Sequence, residues 1–200
     1  MFVRTESFGQ FLKRYPVISF IIGIQIILFL LMHVPFFPKN LLLESLAGVN
    51  LFIREGEYWR LVSPILVHVN FTHLLFNSFS LVLFGPALER ALGKASFILV
   101  YILSGIGANL ATLLIQPPYY THIGASGAIF GLFGIYLAVI LFKKEYMPKQ
   151  GKQVILPIAV ISVIMTFFTP NVNITGHIFG LISGLLIGRI LLHFRPIDFR

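Results

Sequence analysis

An all-α membrane bundle of six spans is the fold this sequence predicts, and three observations predict it. Apolar residues fill 57% of the 200 positions and charged residues only 11%, with a mean hydropathy of +0.90. A soluble domain carries about a quarter of its residues charged, so this chain belongs mostly inside a bilayer. Six apolar stretches, divided by polar or Pro-rich connections, each approach the length that crosses about 30 Å of hydrocarbon. The Lys and Arg residues, finally, crowd onto alternate connections, as they do in multi-pass membrane proteins.

The spans are expected at roughly 16–34, 62–84, 96–115, 126–142, 154–169 and 174–194, the fourth and fifth being short for a crossing. The first follows Lys13-Arg14. It exceeds a signal-peptide core and has no small-residue cleavage site behind it, so it is expected to be retained. Connection 35–61 is the long one and carries Pro35, Pro38, Asn40, Gly48, Asn50, Gly56 and Trp59-Arg60. Its inner parts, 41–47 and 49–53, are apolar enough to lie in the membrane interface. Trp59-Arg60 suits an anchor there, the indole at headgroup level and the guanidinium bonding loop carbonyls. Residues 1–200 are expected to form a single domain.

Arg4, Lys13 and Arg14 precede span 1, and Arg90 and Lys94 lie between spans 2 and 3. Lys143, Lys144, Lys149 and Lys152 lie between spans 4 and 5, and Arg189, Arg195 and Arg200 end the chain. The other side holds Lys39, Arg54 and Arg60. Both termini are therefore expected in the cytoplasm, with spans 2, 4 and 6 running inward. A net charge of +8 so distributed speaks for topology, and no nucleic-acid partner is expected. With no cysteine in the chain, thiolate chemistry and disulfides are excluded.

Strongly polar residues inside spans are functional candidates by default, and here they gather on the even-numbered spans. Span 2 contains His68, His73 and Asn77; span 4 opens on Ser126 within His122-Ile-Gly-Ala-Ser-Gly-Ala-Ile-Phe-Gly131; span 6 opens Thr175-Gly-His177. A serine at a helix head sits among unpaired N–H groups at the positive end of the helix dipole, where an oxyanion is stabilised. The alternative is a capping serine flanked by packing glycines. From Ser126 to Phe142 is 17 residues, about 25 Å of helix, so Ser126 should lie below the outer surface. Residues 117–120 would dip in to reach it. His177 reaches a comparable depth, and His73 and Asn77 lie about two to three turns into span 2.

Glycine rows 127, 131, 134 and 180, 184, 188 could bring spans 4 and 6 backbone to backbone, setting His177 beside Ser126. A neutral imidazole within reach of a serine can take its proton and return it to a leaving amine. No Asp or Glu lies in spans 4 or 6, so a carboxylate third member is not evident. Glu89 is expected at the far end of span 2, in an ion pair or closing that helix end.

The combination resembles the rhomboid family of intramembrane serine proteases in its minimal, bacterial-type six-helix form. Trp59-Arg60, His73-x-x-x-Asn77, Gly124-Ala-Ser126-Gly127 and Gly176-His177-x-x-Gly180-x-x-x-Gly184 carry it, in matching order over essentially the whole chain. The resemblance implies Ser126 as nucleophile and His177 as general base. His73, Asn77 and the Ser126 backbone N–H would be the oxyanion-hole donors. Gly124 would shape the site, and His68 would support it near the mouth. A tyrosine often stands four residues after the family's serine; here it is Phe130, which keeps the ring and loses the hydroxyl.

The resemblance further implies membrane-protein substrates whose transmembrane helices unwind near their outer end, with a small side chain before the cut. It implies a bacterial cytoplasmic membrane, an active site opening outward and no cofactor. A zinc protease is disfavoured, because no His-Glu-x-x-His motif exists and His68 and His73 are about 140° apart around a helix. A transporter would place carboxylates in its spans. The remaining alternative is a catalytically dead rhomboid-like protein that binds membrane clients; loss of Ser126 or His177 would have signalled it.

Overall fold

The computed structural model of the chain describes residues 5–35 and 38–199; Arg4 and Arg200, two of the charges that set the expected topology, lie outside them. Helix α1 (Phe8–Arg14) meets α2 (Pro16–Leu31) at a bend of 111°. Pro16 causes the break: it begins α2 where its missing N–H costs nothing, and it ends α1. The long connection folds into α3 (Lys39–Leu46), a two-residue strand β1 (Gly48–Val49) and α4 (Asn50–Arg54). Two 3₁₀ turns, Tyr58–Leu61 and Ser63–Leu66, follow. The remaining helices are α5 (Phe71–Leu92), α6 (Lys94–Ile115), α7 (Ser126–Phe142), α8 (Lys149–Phe168) and α9 (Ile174–Phe194). Strand β2 (Thr121–His122) pairs antiparallel with β1.

Among the described residues, helices α5, α6, α8 and α9 are long and apolar enough to cross a membrane, and α1 with α2 makes a fifth when the bent pair is counted as one span. Helix α7 is apolar and shorter, with 17 residues. The protein is thus an all-α membrane bundle.

Spans 4 and 6 begin and end where the sequence predicts. Span 2 does not: the helix starts at Phe71 rather than near residue 62, and runs on to Leu92. Residues 62–70 are apolar for a different reason. Pro64 and Ile65, in the second 3₁₀ turn, and Val67 after it are buried outside any α-helix, which is tolerated at membrane depth only when the polar backbone finds partners in the protein. It does: the Ile65 carbonyl accepts from Gln25 Nε2 at 3.3 Å and the Pro64 carbonyl from the Gly124 N–H at 2.8 Å, while just before the stretch the Leu61 carbonyl accepts from Asn109 Nδ2 at 2.9 Å. His73 and Asn77 therefore stand in the first two turns of α5, nearer its head than expected.

The first loop is held together by its Trp-Arg pair and tied to the bundle by Asn50. Buried Arg60 donates to the Glu44 and Ala47 carbonyls and to the Glu57 carboxylate, and Trp59, 55% exposed, donates to the Ser45 carbonyl. Asn50 Nδ2 donates to the carbonyls of Thr112, Gln116 and Pro117, closing the last turn of α6. At the opposite end, Glu89 does not close its own helix. Its carboxylate accepts the N–H groups of Val17 and Ile18, each at 3.1 Å, and so caps the head of α2, where an anion suits the helix dipole. Arg195 donates to the Leu92 carbonyl beside it. Helices α5, α7 and α9 accordingly run one way and α2, α6 and α8 the other.

Candidate active site

Helices α7 and α9 touch at their backbones. A Cβ added to Gly184 would fall on the Gly131 carbonyl, 2.7 Å from its Cα, and one on Gly180 would fall on the Gly127 carbonyl. A Cβ on Gly127 would lie 3.5 Å from the Gly176 carbonyl oxygen. The two rows of small residues therefore do what small-xxx-small rows permit, and the heads of the two helices lie side by side. Ser126 is the first residue of α7, where the early N–H groups have no intrahelical acceptors. His177 is the fourth residue of α9. Both are half-buried, open enough to meet another molecule.

One turn after Ser126, Phe130 lies flat against His177, ring centroids 4.2 Å apart and planes 17° from parallel. Phe130 is 7% exposed, so this is a packed contact and not a lipid-facing aromatic. The other edge of the imidazole meets α8: His177 Nδ1 lies 2.9 Å from Thr166 Oγ1. Among the described residues no hydrogen bond joins Ser126 to His177; such bonds are often long in a resting site and tighten with substrate.

Gly124 adopts a positive φ of 114°, a conformation open to glycine. The His73 imidazole fills the space where a Cβ would stand, with its Nε2 2.7 Å away. His73 thereby reaches the loop just before Ser126. His68 meets His73 edge-on at 5.0 Å. His68 Nε2 lies 2.8 Å from Asn77 Nδ2 and accepts the Ala125 N–H at 3.4 Å. With the Ala125 N–H aimed at that nitrogen, Nε2 is the unprotonated one, and the Asn77 amide donates to it. His68 is 0% exposed, so it is a buried strut between α5 and the serine loop and not a residue near the mouth. One of the two Asn77 N–H groups is spent on it.

All seven residues singled out from sequence thus converge: Ser126, His177, His73, Asn77, Gly124, Phe130 and His68. His122, which opens the serine stretch, packs instead against Gly48 across the β1–β2 pair. Burial pushes its pKa down to about 4, so it stays neutral at ordinary pH as a packing residue.

Two contributors escape a sequence reading. Asn173 Oδ1 accepts the Gly176 N–H while its Nδ2 donates to Thr112 Oγ1, each at 2.9 Å, pinning the head of α9 to α6. An asparagine just before an apolar helix is a capping signal, and that was its visible mark. Thr166 is the other. Hydroxyls inside apolar helices commonly bond their own backbone, so Ser162 and Thr166 gave only a weak signal.

A half-buried serine-histidine pair at adjoining helix heads, with amide and imidazole groups beside it, defines a candidate hydrolase site within a membrane bundle. The family profile described as the rhomboid domain matches residues 55–194. The chain is 48% identical over 187 residues to YdcA of Bacillus subtilis (strain 168), a protein assigned only provisionally as a rhomboid protease, spanning 94% of each chain. It is 35% identical over 191 residues to the rhomboid protease GluP of the same organism, covering 94% of this chain but 37% of GluP. It is also 33% identical over 142 residues to RHOMBOID-like protein 5 of Arabidopsis thaliana, 70% of this chain and 46% of that one. The chain belongs to the rhomboid family.

Proposed function

We propose that this protein is an intramembrane serine endopeptidase that cuts transmembrane segments of other membrane proteins through a Ser126–His177 dyad. The observation that carries this reading is the glycine-lined crossing of α7 and α9, which leaves the serine and the imidazole-bearing turn side by side with Phe130 between the helices. His177 Nε2 takes the Ser126 hydroxyl proton as Oγ attacks the scissile carbonyl carbon. The resulting oxyanion is met by the Ser126 N–H, the free Asn77 amide N–H and His73, donors that stabilise charge only as it develops. The imidazolium gives its proton to the leaving amine, the C–N bond breaks, and an acyl ester remains on Ser126. Water, deprotonated by His177, then hydrolyses that ester.

A helical amide is shielded by its own hydrogen bonds, so substrates are spans whose outer end unwinds readily, with a small residue before the cut. The single domain sits in a bacterial cytoplasmic membrane with both termini cytoplasmic and the site open to the external side. A serine-directed fluorophosphonate is expected to label the detergent-solubilised protein, and the label to vanish in Ser126→Ala. Cleavage of a reporter transmembrane substrate should be lost in Ser126→Ala and His177→Ala and be indifferent to chelator. A protein that binds such substrates without label or cleavage would be a catalytically inactive family member.

A further inference from the structure

We infer that Thr166, on α8, is the positioning residue that holds His177 in the tautomer and ring orientation a general base needs. This role rests on the dyad proposed above and supplies what its carboxylate-free chemistry lacks. A base facing Ser126 must present an unprotonated Nε2, so its proton must sit on Nδ1. Stacking on Phe130 at 4.2 Å and 17° fixes the plane of the imidazole. It cannot say which edge faces Ser126, because turning the ring over leaves the same flat contact.

The α8 side decides that. Thr166 Oγ1 donates to the Ser162 carbonyl at 2.9 Å, and in that arrangement its single hydroxyl proton points away from His177. The same oxygen lies 2.9 Å from His177 Nδ1 and faces it with lone pairs. With the hydroxyl so turned, Nδ1 is the protonated nitrogen, and Nε2 carries the free pair. A short relay of Nδ1–H to hydroxyl to helix carbonyl takes the place of an aspartate. It orients the base without placing a charge in the membrane, where an unpaired carboxylate would be costly. Thr166 is 3% exposed and continues the stripe Gly151, Ile155, Ala159 by which α8 meets the bundle. The orientation of the base consequently depends on α8 being seated.

Two variants and one spectroscopic measurement test this. Thr166→Val keeps the shape and removes the hydroxyl; labelling of Ser126 by fluorophosphonate and kcat on a reporter substrate are expected to fall about 10–100-fold, with KM unchanged. Thr166→Ser restores the oxygen and should return both close to wild type. Independently of turnover, ¹⁵N chemical shifts of the imidazoles, with His177 identified by its loss in His177→Ala, should show the Nδ1–H tautomer in wild type and Thr166→Ser and its loss in Thr166→Val. A labelled wild type with Thr166→Val labelled at the same rate, or an Nε2–H tautomer in wild type, overturns this role alone. A wild type that Ser126 reagents never label overturns the proposed function and this role with it.

Discussion

The two flanks of His177 are built on opposite plans. Toward α7 the helices meet through glycines, backbone against backbone, and the imidazole rests on a buried ring. Toward α8 the contact is a thin stripe, Gly151, Ile155, Ala159 and Thr166, while Leu156, Val160, Ile161, Ile164, Met165, Phe167 and Phe168 of the same helix are exposed. The first flank sets how far the base stands from the nucleophile, because backbones in contact cannot yield. The second sets which edge of the base is presented, through one hydrogen bond that a small shift would break. Distance is fixed by packing and direction by polarity, and the two can be broken separately.

The largest effect should come from the rigid flank. In Gly184→Ala the new Cβ meets the Gly131 carbonyl carbon at 2.6 Å and its Cα at 2.7 Å, and no side chain is there to swing aside. Overpacking costs about 1–3 kcal/mol, occasionally more, and a nucleophile–base separation wrong by about 1 Å costs on the order of 10²-fold. Both the melting temperature and the rate of Ser126 labelling should fall sharply. A Gly184→Ala protein that labels at the wild-type rate would mean the crossing does not set the dyad.

Phe130→Ala removes the platform while leaving the crossing intact. Turnover per titrated site should drop about 10²-fold, with the protein still folded, whereas Phe130→Tyr should be nearly neutral because the ring is what packs. If instead Phe130→Ala lowers only the melting temperature, its ring serves the core and not the base. Comparison with Thr166→Val then apportions orientation between the plane of the imidazole and its edge.

Asn77→Ala lies outside both flanks and tests the oxyanion side. Removing one such donor commonly costs about 10²–10³-fold. Here one Asn77 N–H already serves His68 and other donors can share the load, so at least about a tenfold loss of kcat is expected with the fold retained. Unchanged turnover would reduce Asn77 to a strut for His68. The smallest effect belongs to Gly23→Ala on α2, where an added Cβ meets nothing within 4 Å. Activity should be unchanged and stability equal or slightly higher, since glycine inside a helix loses more backbone entropy than alanine.

The sequence by itself determined the class of protein, the limits of the fourth and sixth spans, and the serine and histidine at their heads. It could do so because hydropathy, glycine spacing and rare polar residues are local properties, and the bilayer makes each of them costly to misplace. Only the tertiary structure decided where span 2 begins, since residues 62–70 are equally apolar as helix or as buried loop, and the Ile65 and Pro64 carbonyls are satisfied by Gln25 and Gly124 from elsewhere in the chain. For the same reason Glu89 proved to cap α2 rather than its own helix, and His68 proved a buried strut. Thr166 is the sharpest case. Its hydroxyl has the same composition and helical setting as any other threonine in a span, and it faces His177 Nδ1 only because α8 packs antiparallel against α9. A hydrogen bond is defined by two partners and an angle, and the second partner is not written next to the first.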